Sequence, residues 1–150
     1  MTILVADVEC DGFSPTEIFV LGVLDWETDE YVNYTGENVA EGLMLLMEAD
    51  LVVGHAFKTF DAPQIKRLTD GLVDIPLDKI YDTCEMSRKL VKEMQKHGLR
   101  EWGEIFDFPK GDHSDFSKLT PAMLVYCERD VRLTRKIFDF LLEMEQNQPT

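Results

Sequence analysis

Apolar and polar positions along this chain follow two different periods, and the switches between them mark its elements. Ile3-Leu4-Val5-Ala6-Asp7-Val8-Glu9 is rich in branched apolar residues and is closed by Asp11-Gly12, which predicts a strand rather than so short a helix. Residues 17–26 predict a second strand, 27–30 a turn and 31–35 a third strand, together an antiparallel hairpin. Asn38-Val39-Ala40-Glu41 has capping-box spacing, and Val39, Leu43, Leu46 and Met47 follow at helical intervals, predicting a helix to about Ala49. Leu51-Val52-Val53-Gly54 is a short strand that makes an α/β unit with this helix. Asp61-Ala62-Pro63 then opens a helix to about Thr69, stopped by Asp70-Gly71.

The second half of the chain is predominantly helical in pattern. Asp82-Thr83-Cys84-Glu85 is a second capping box, and Met86, Leu90 and Met94 recur every fourth residue, predicting a helix through that segment with Arg88, Lys92 and Lys96 on another face. Residues 106–119 mix Pro109, Gly111 and Ser114 with alternating charges and predict a loop near the length at which loops carry function. Thr120-Pro121 is an N-cap followed by a proline at the first helical position, starting a long helix to about Glu145 whose core face carries Leu124, Cys127, Val131, Phe138 and Leu141. The last five residues are expected to fray.

Composition narrows the class. A chain of 150 residues with 45% apolar content is long enough for one full core, so a single domain over 1–150 is expected. Cys10, Cys84 and Cys127 are odd in number, far apart and in no CxxC pair, which argues against a disulfide framework or a zinc site and for a reducing, cytoplasmic compartment. No secretory signal and no membrane span is expected: the first 30 residues hold no Lys or Arg, and no apolar run approaches the roughly 18 residues of a spanning helix. The net charge of −14 argues against a nucleic-acid partner until its distribution is considered. Residues 1–57 hold 12 acids and no Lys or Arg, whereas 58–150 hold 17 acids and all 15 bases. The charge is segregated, and a phosphate backbone has a nearly balanced half to lie on.

Asp7 and Glu9, two apart on a strand, project from the face that also carries Ile3 and Val5. Side-by-side carboxylates repel, and a bound divalent cation offsets this; the alternative is that the strand ends near Asp7 and both acids are solvated. Asp61 is also explained as an N-cap ahead of Pro63, and Asp82 as the cap of its own box. Tyr126 and Asp130 lie four apart on one helix face.

In order and spacing, three segments resemble the DEDD (DnaQ-like) family of 3′-to-5′ exonucleases, in its tyrosine subgroup. They are Asp7-Val8-Glu9, then Val53-Gly54-His55 leading to Phe60-Asp61, then Tyr126-Cys127-Glu128-Arg129-Asp130. Tyr81-Asp82-Thr83 and the His97–Gly103 segment add to the likeness, which covers about residues 3–142 and is greatest to the proofreading domains of bacteriophage family-A DNA polymerases. One departure is Ala56, where the family often has Asn.

The resemblance implies a ribonuclease H-like α/β fold, a mixed sheet flanked by helices. It implies Asp7, Glu9, Asp61 and Asp130 as ligands of two divalent cations, Mg2+ or Mn2+. Asp7 would bridge both, and Tyr126 would orient the attacking water. His55, Phe57, Lys58, Arg88 and Lys92 are the candidate substrate contacts; His55 is equally explained as a loop histidine. The basic group can equally be a solvated helix face. Phe60 and Trp102 are expected in the core.

The expected activity is a metal-dependent 3′-to-5′ exonuclease that releases nucleoside monophosphates from single-stranded DNA ends. With no room for a polymerase domain in 150 residues, the expectation is either a free proofreading or trimming enzyme or the exonuclease subunit of a split polymerase, the latter with a separate polymerase or replication protein as partner, and a host cytoplasm as its location if phage-encoded. The alternatives are an oligoribonuclease-like enzyme trimming short RNA, and a nuclease fold used only to bind nucleic acid or protein.

Overall fold

The computed structural model describes residues 1–12, 15–109 and 113–148. Its strands are β1 (Ile3–Cys10), β2 (Ile18–Asp25), β3 (Tyr31–Thr35), β4 (Leu51–Gly54) and β5 (Ile80–Asp82). Its helices are α1 (Val39–Glu48), α2 (Ala62–Leu68), α3 (Thr83–Leu90), α4 (Leu99–Ile105) and α5 (Pro121–Gln146). The strands form one sheet in the order β3-β2-β1-β4-β5. β1, β2 and β3 pair antiparallel, as the hairpin pattern predicts, and β4 and β5 run parallel to β1.

β1 is central and covered on both faces. Leu4, Ala6, Val8 and Cys10 join a core with Val39, Leu43 and Leu46 of α1 and Ile65 of α2. The alternate residues Ile3 and Val5 pack on the other face against Met123, Cys127, Val131 and Phe138 of α5. A third cluster sets Trp102 of α4 and Met86, Leu90 and Met94 against Leu133, Ile137 and Leu141 of α5. Trp102 is therefore core, as expected. α5 is capped by Thr120, whose hydroxyl accepts from the Met123 N–H at 3.2 Å, and is locked to the sheet by Trp26 Nε1 donating to Asp139 at 2.7 Å.

Three local expectations are corrected. The Asn38 box does not form: Gly36–Asn38 is a 3-10 turn, Asn38 itself has helical angles, and its side chain caps nothing. The helix predicted through Met94 stops at Leu90, although Lys92 to Lys96 are good helix formers. Tertiary bonds win there, because the His97 ring bonds to Ser87 at 2.5 Å and the His97 carbonyl to the His55 ring at 2.8 Å, folding residues 91–98 back onto α3. The helix predicted from Asp61 is preceded by a π-helical turn, Phe57–Asp61. Of the predicted 106–119 loop, 110–112 lie outside the described residues, as do 149 and 150 of the predicted frayed tail; α5 itself runs to Gln146.

Candidate metal centre

The centre lies on the C-terminal half of β1, past its last pairing with the parallel strand β4 at Val5, beside the carboxyl end of β4, where open α/β sheets bind ligands. β1 supplies two carboxylates. Strand alternation places Asp7 and Glu9 on the α5 face in line with Ile3 and Val5, as the sequence predicts. Ligand oxygens of both lie within 4.8 Å of each other and of Cys127 Sγ on α5. One turn further along α5 comes Asp130, which is buried.

Asp61 arrives from the π turn. β1 pairs with β4 only through Val5, so the Val8 N–H is left without a strand partner, and Asp61 Oδ2 accepts it at 3.2 Å. The side chain does not cap α2, so the N-cap explanation of Asp61 fails and its carboxylate is turned into the site.

The electrostatics follow from this crowding. Burial first, then Asp7, Asp130 and Asp61, push the Glu9 carboxyl up to about 11. Asp61 is raised well above the usual carboxylate range by burial and by Asp7, against the lowering effect of the Val8 N–H. Buried carboxylates gathered in this way are costly to charge, and bound cations offset that cost. Two divalent cations would balance four carboxylates, and the all-oxygen character of these donors suits Mg2+ or Mn2+. The donor set fits the predicted group.

Cys127 was legible in the sequence only as a core residue. It sits behind Asp7, with Sγ 3.9 Å from Asp7 Oδ2, and it requires Gly22 on β2, where a Cβ would lie 2.8 Å from the sulfur. Burial and the neighbouring acids push the Cys127 thiol well up, and Cys10 likewise up to about 12, so neither serves as a nucleophile at neutral pH.

Tyr126 is half-buried on the same side of α5 as Asp130. Its ring packs against His113 and Phe116, at centroid distances of 5.6 and 6.0 Å. Beside Glu9 opens a cavity of about 430 Å³, lined by Val8, Glu9, Cys10, Gly12, Phe60, Ser114 and Phe116. Phe116 was not singled out as a contact from the motifs; the unusual length of the 106–119 segment was the available signal.

The candidate substrate contacts fare unevenly. Phe57 is corrected: it is fully buried, its Cβ filling the space that a Cβ on Gly54 would need, 2.7 Å away, and no surface is left for a base. Phe60, expected in the core, is 37% exposed and lines the cavity instead. His55 is corrected too, since Nδ1 bonds Thr83 Oγ1 and Nε2 the His97 carbonyl, each at 2.8 Å, committing both ring nitrogens. Lys58 is paired with Glu85 at 2.9 Å. Arg88 is exposed on α3, and Lys92 is exposed but lies past the end of that helix, so the predicted basic stripe is broken after Arg88.

Ala56 opens the turn with φ +58°, the left-handed region that costs a Cβ-bearing residue about 1–2 kcal/mol. Asn, frequent at this place in the family that the sequence resembles, visits that region more readily. Ala56→Gly is expected to stabilise the protein by about 0.5–1 kcal/mol, the strain relieved less the added freedom of the unfolded glycine. Urea unfolding checks this, and an unchanged or lower midpoint would contradict the strain.

No family model and no curated protein matches the sequence. Solved structures do match. Brucella melitensis NrnC has a TM-score of 0.71 at 18% identity over 96% of this chain and 74% of its own, and a further structure of it, bound to pGG, scores 0.72. The family B DNA polymerase of the archaeon Pyrobaculum calidifontis scores 0.67 at 19% identity, covering 95% of this chain but 24% of the polymerase. Phi29 DNA polymerase complexed with single-stranded DNA scores 0.64 at 15% identity, covering 99% of this chain and 32% of its own. The fold is thus the ribonuclease H-like α/β fold, a mixed five-stranded sheet flanked by helices.

Proposed function

We propose that this chain is a metal-dependent 3′-to-5′ exonuclease acting on single-stranded nucleic-acid ends. The observation that carries the reading is the convergence of Asp7, Glu9, Asp61 and Asp130 from a strand, a π turn and a helix, with Glu9 forced up to about 11 in their company. Such a cluster is electrostatically unfavourable by itself and becomes favourable once it holds cations. A nuclease among the similar structures has bound Mg2+, which supports the same ion here.

Asp7, Glu9, Asp61 and Asp130 would hold two divalent cations, which when bound would supply a water-derived nucleophile at neutral pH and stabilise charge on the attacking and leaving oxygens. The rest falls to the chain. Tyr126, one turn before Asp130, orients the attacking water through its hydroxyl. Phe60 and Phe116 take the terminal base in the cavity beside Glu9, a largely apolar lining that binds by stacking and tolerates any base. Arg88, with its neighbour Lys89, offers exposed charge for the strand behind it.

The terminal-base cavity suits short substrates, and NrnC bound to pGG favours short oligonucleotides as a second reading of the same chemistry. Matched DNA and RNA strands labelled at the 5′ end, incubated with Mg2+, decide between them. A ladder shortening one nucleotide at a time from the 3′ end is expected, and internal cuts or loss of the 5′ label would overturn the proposal. Tyr126→Phe is expected to lower kcat by about 10²-fold or more, the scale of a lost positioned proton or water contact, with KM little changed. A change confined to KM would assign Tyr126 to stacking.

A further inference from the structure

Asp82 has more bonds than its place at the head of α3 calls for. As the N-cap it accepts from Cys84 N at 2.9 Å and Glu85 N at 3.1 Å. The same carboxylate also accepts from two backbone N–H groups far away in sequence, Ala56 at 3.0 Å on Oδ1 and Lys58 at 3.0 Å on Oδ2. The parallel pairing of β4 with β5, which sets Gly54 opposite Asp82, brings it level with the start of that segment. It is 3% exposed and four backbone donors occupy it, while its charge also presses on Asp61, less than that of Asp7 does.

The segment it grips is the one that needs holding. Ala56 is left-handed, and Phe57–Asp61 is a π turn, a conformation found mostly as single turns at functional sites. That turn ends on Asp61, whose carboxylate must reach Val8 N on β1. Charge-assisted bonds from a buried carboxylate are strong enough to hold a strained backbone in place.

We infer that Asp82 is a positioning residue for Asp61: by clamping the left-handed and π-helical backbone between Ala56 and Lys58, it sets the place of a carboxylate in the cation site. The inference rests on the proposed metal-dependent nuclease activity.

Asp82→Asn tests it cleanly, because an amide oxygen in place of Oδ1 keeps the bonds to Ala56, Cys84 and Glu85, while the amide nitrogen faces Lys58 N–H and cannot accept. The helix cap survives and one bond to the turn is lost. The Mg2+ concentration for half-maximal cleavage is expected to rise about tenfold, the size of one lost charge-assisted bond, with the rate at saturating Mg2+ within about threefold of the parent. Calorimetric titration of Mn2+ into the metal-free protein should weaken in parallel. Adding Ala56→Gly, which relaxes the strained turn and does nothing for a helix cap, is expected to restore at least half of the loss on a logarithmic scale.

A variant that melts earlier but keeps both metal readouts within about twofold would overturn the clamp, as would the absence of rescue by glycine. Should the parent bind Mn2+ yet cleave nothing, the nuclease reading fails and the calorimetry still decides the clamp. A parent that binds no Mn2+ removes the site and the clamp together.

Discussion

Asp7→Ala should lower the rate of cleavage by at least about a thousandfold, since the cations it is proposed to hold would supply several kcal/mol of transition-state stabilisation and each 1.36 kcal/mol is tenfold. The same substitution should leave the fold standing. Asp7 is the foremost charged neighbour pressing on both Glu9 and Asp61, so removing it relieves repulsion wherever those groups ionise in the metal-free protein, against the loss of its hydrogen bond to Glu9. In chelator the melting temperature is therefore expected to hold or rise, while in Mg2+ the stabilisation given by the ion should shrink. Opposite signs in one variant separate a ligand from a structural residue, for which activity and stability fall together. Near-normal turnover in Asp7→Ala would end the proposed mechanism.

The second large effect is on pH. In the metal-free protein Glu9 is raised from 4.5 to about 11, and Asp61 is raised in the same direction. A group whose folded value lies above its unfolded value binds its proton more tightly in the native state. Its contribution is fully present below pH 4.5 and is lost as pH rises towards 11. Chelator-treated protein should thus be most stable at mildly acidic pH and weaken steadily between about pH 5 and 9. On the proposed assignment, bound cations would replace those protons. Mg2+ should barely stabilise at pH 5 and should raise Tm by about 5–10 °C at pH 8 when present at a hundred times its Kd. Thermal melts across that range, with and without Mg2+, check both arms. Stability that climbs with pH in chelator, or an equal Mg2+ effect at both ends, would contradict the assignment.

How much of this was visible in the sequence differs from residue to residue for physical reasons. Alternation along β1 placed Asp7 and Glu9 on one face because a strand's period is fixed by its pleat. Helical spacing put Tyr126 near Asp130 for the same kind of reason. Thr120-Pro121 marked the start of α5 because both signals act within one turn. What stayed hidden was set by contacts distant in sequence. Asp61 looked like a cap until the unpaired Val8 N–H, 53 residues away, gave its carboxylate another partner. Phe57 and Phe60 are three apart in a segment read as leading into a helix; a π turn instead buries the first beneath Gly54 and exposes the second beside Glu9. Met94 keeps its apolar contacts off the helix because His97 is bonded to both His55 and Ser87. The acidity, too, changes meaning: 12 unbalanced acids in residues 1–57 include both β1 carboxylates of the proposed site, and the bases lie beyond them.

The central claim is that four carboxylates build one site for two cations. Mn2+ added to the metal-free protein at pH 8 and followed by electron paramagnetic resonance tests it most directly. The account predicts two ions per chain, close enough to be magnetically coupled at the roughly 3.5–4 Å of two-metal sites, with the coupled signal lost in Asp7→Ala. Binding of a single ion, or of two uncoupled ions that persist without Asp7, would contradict it.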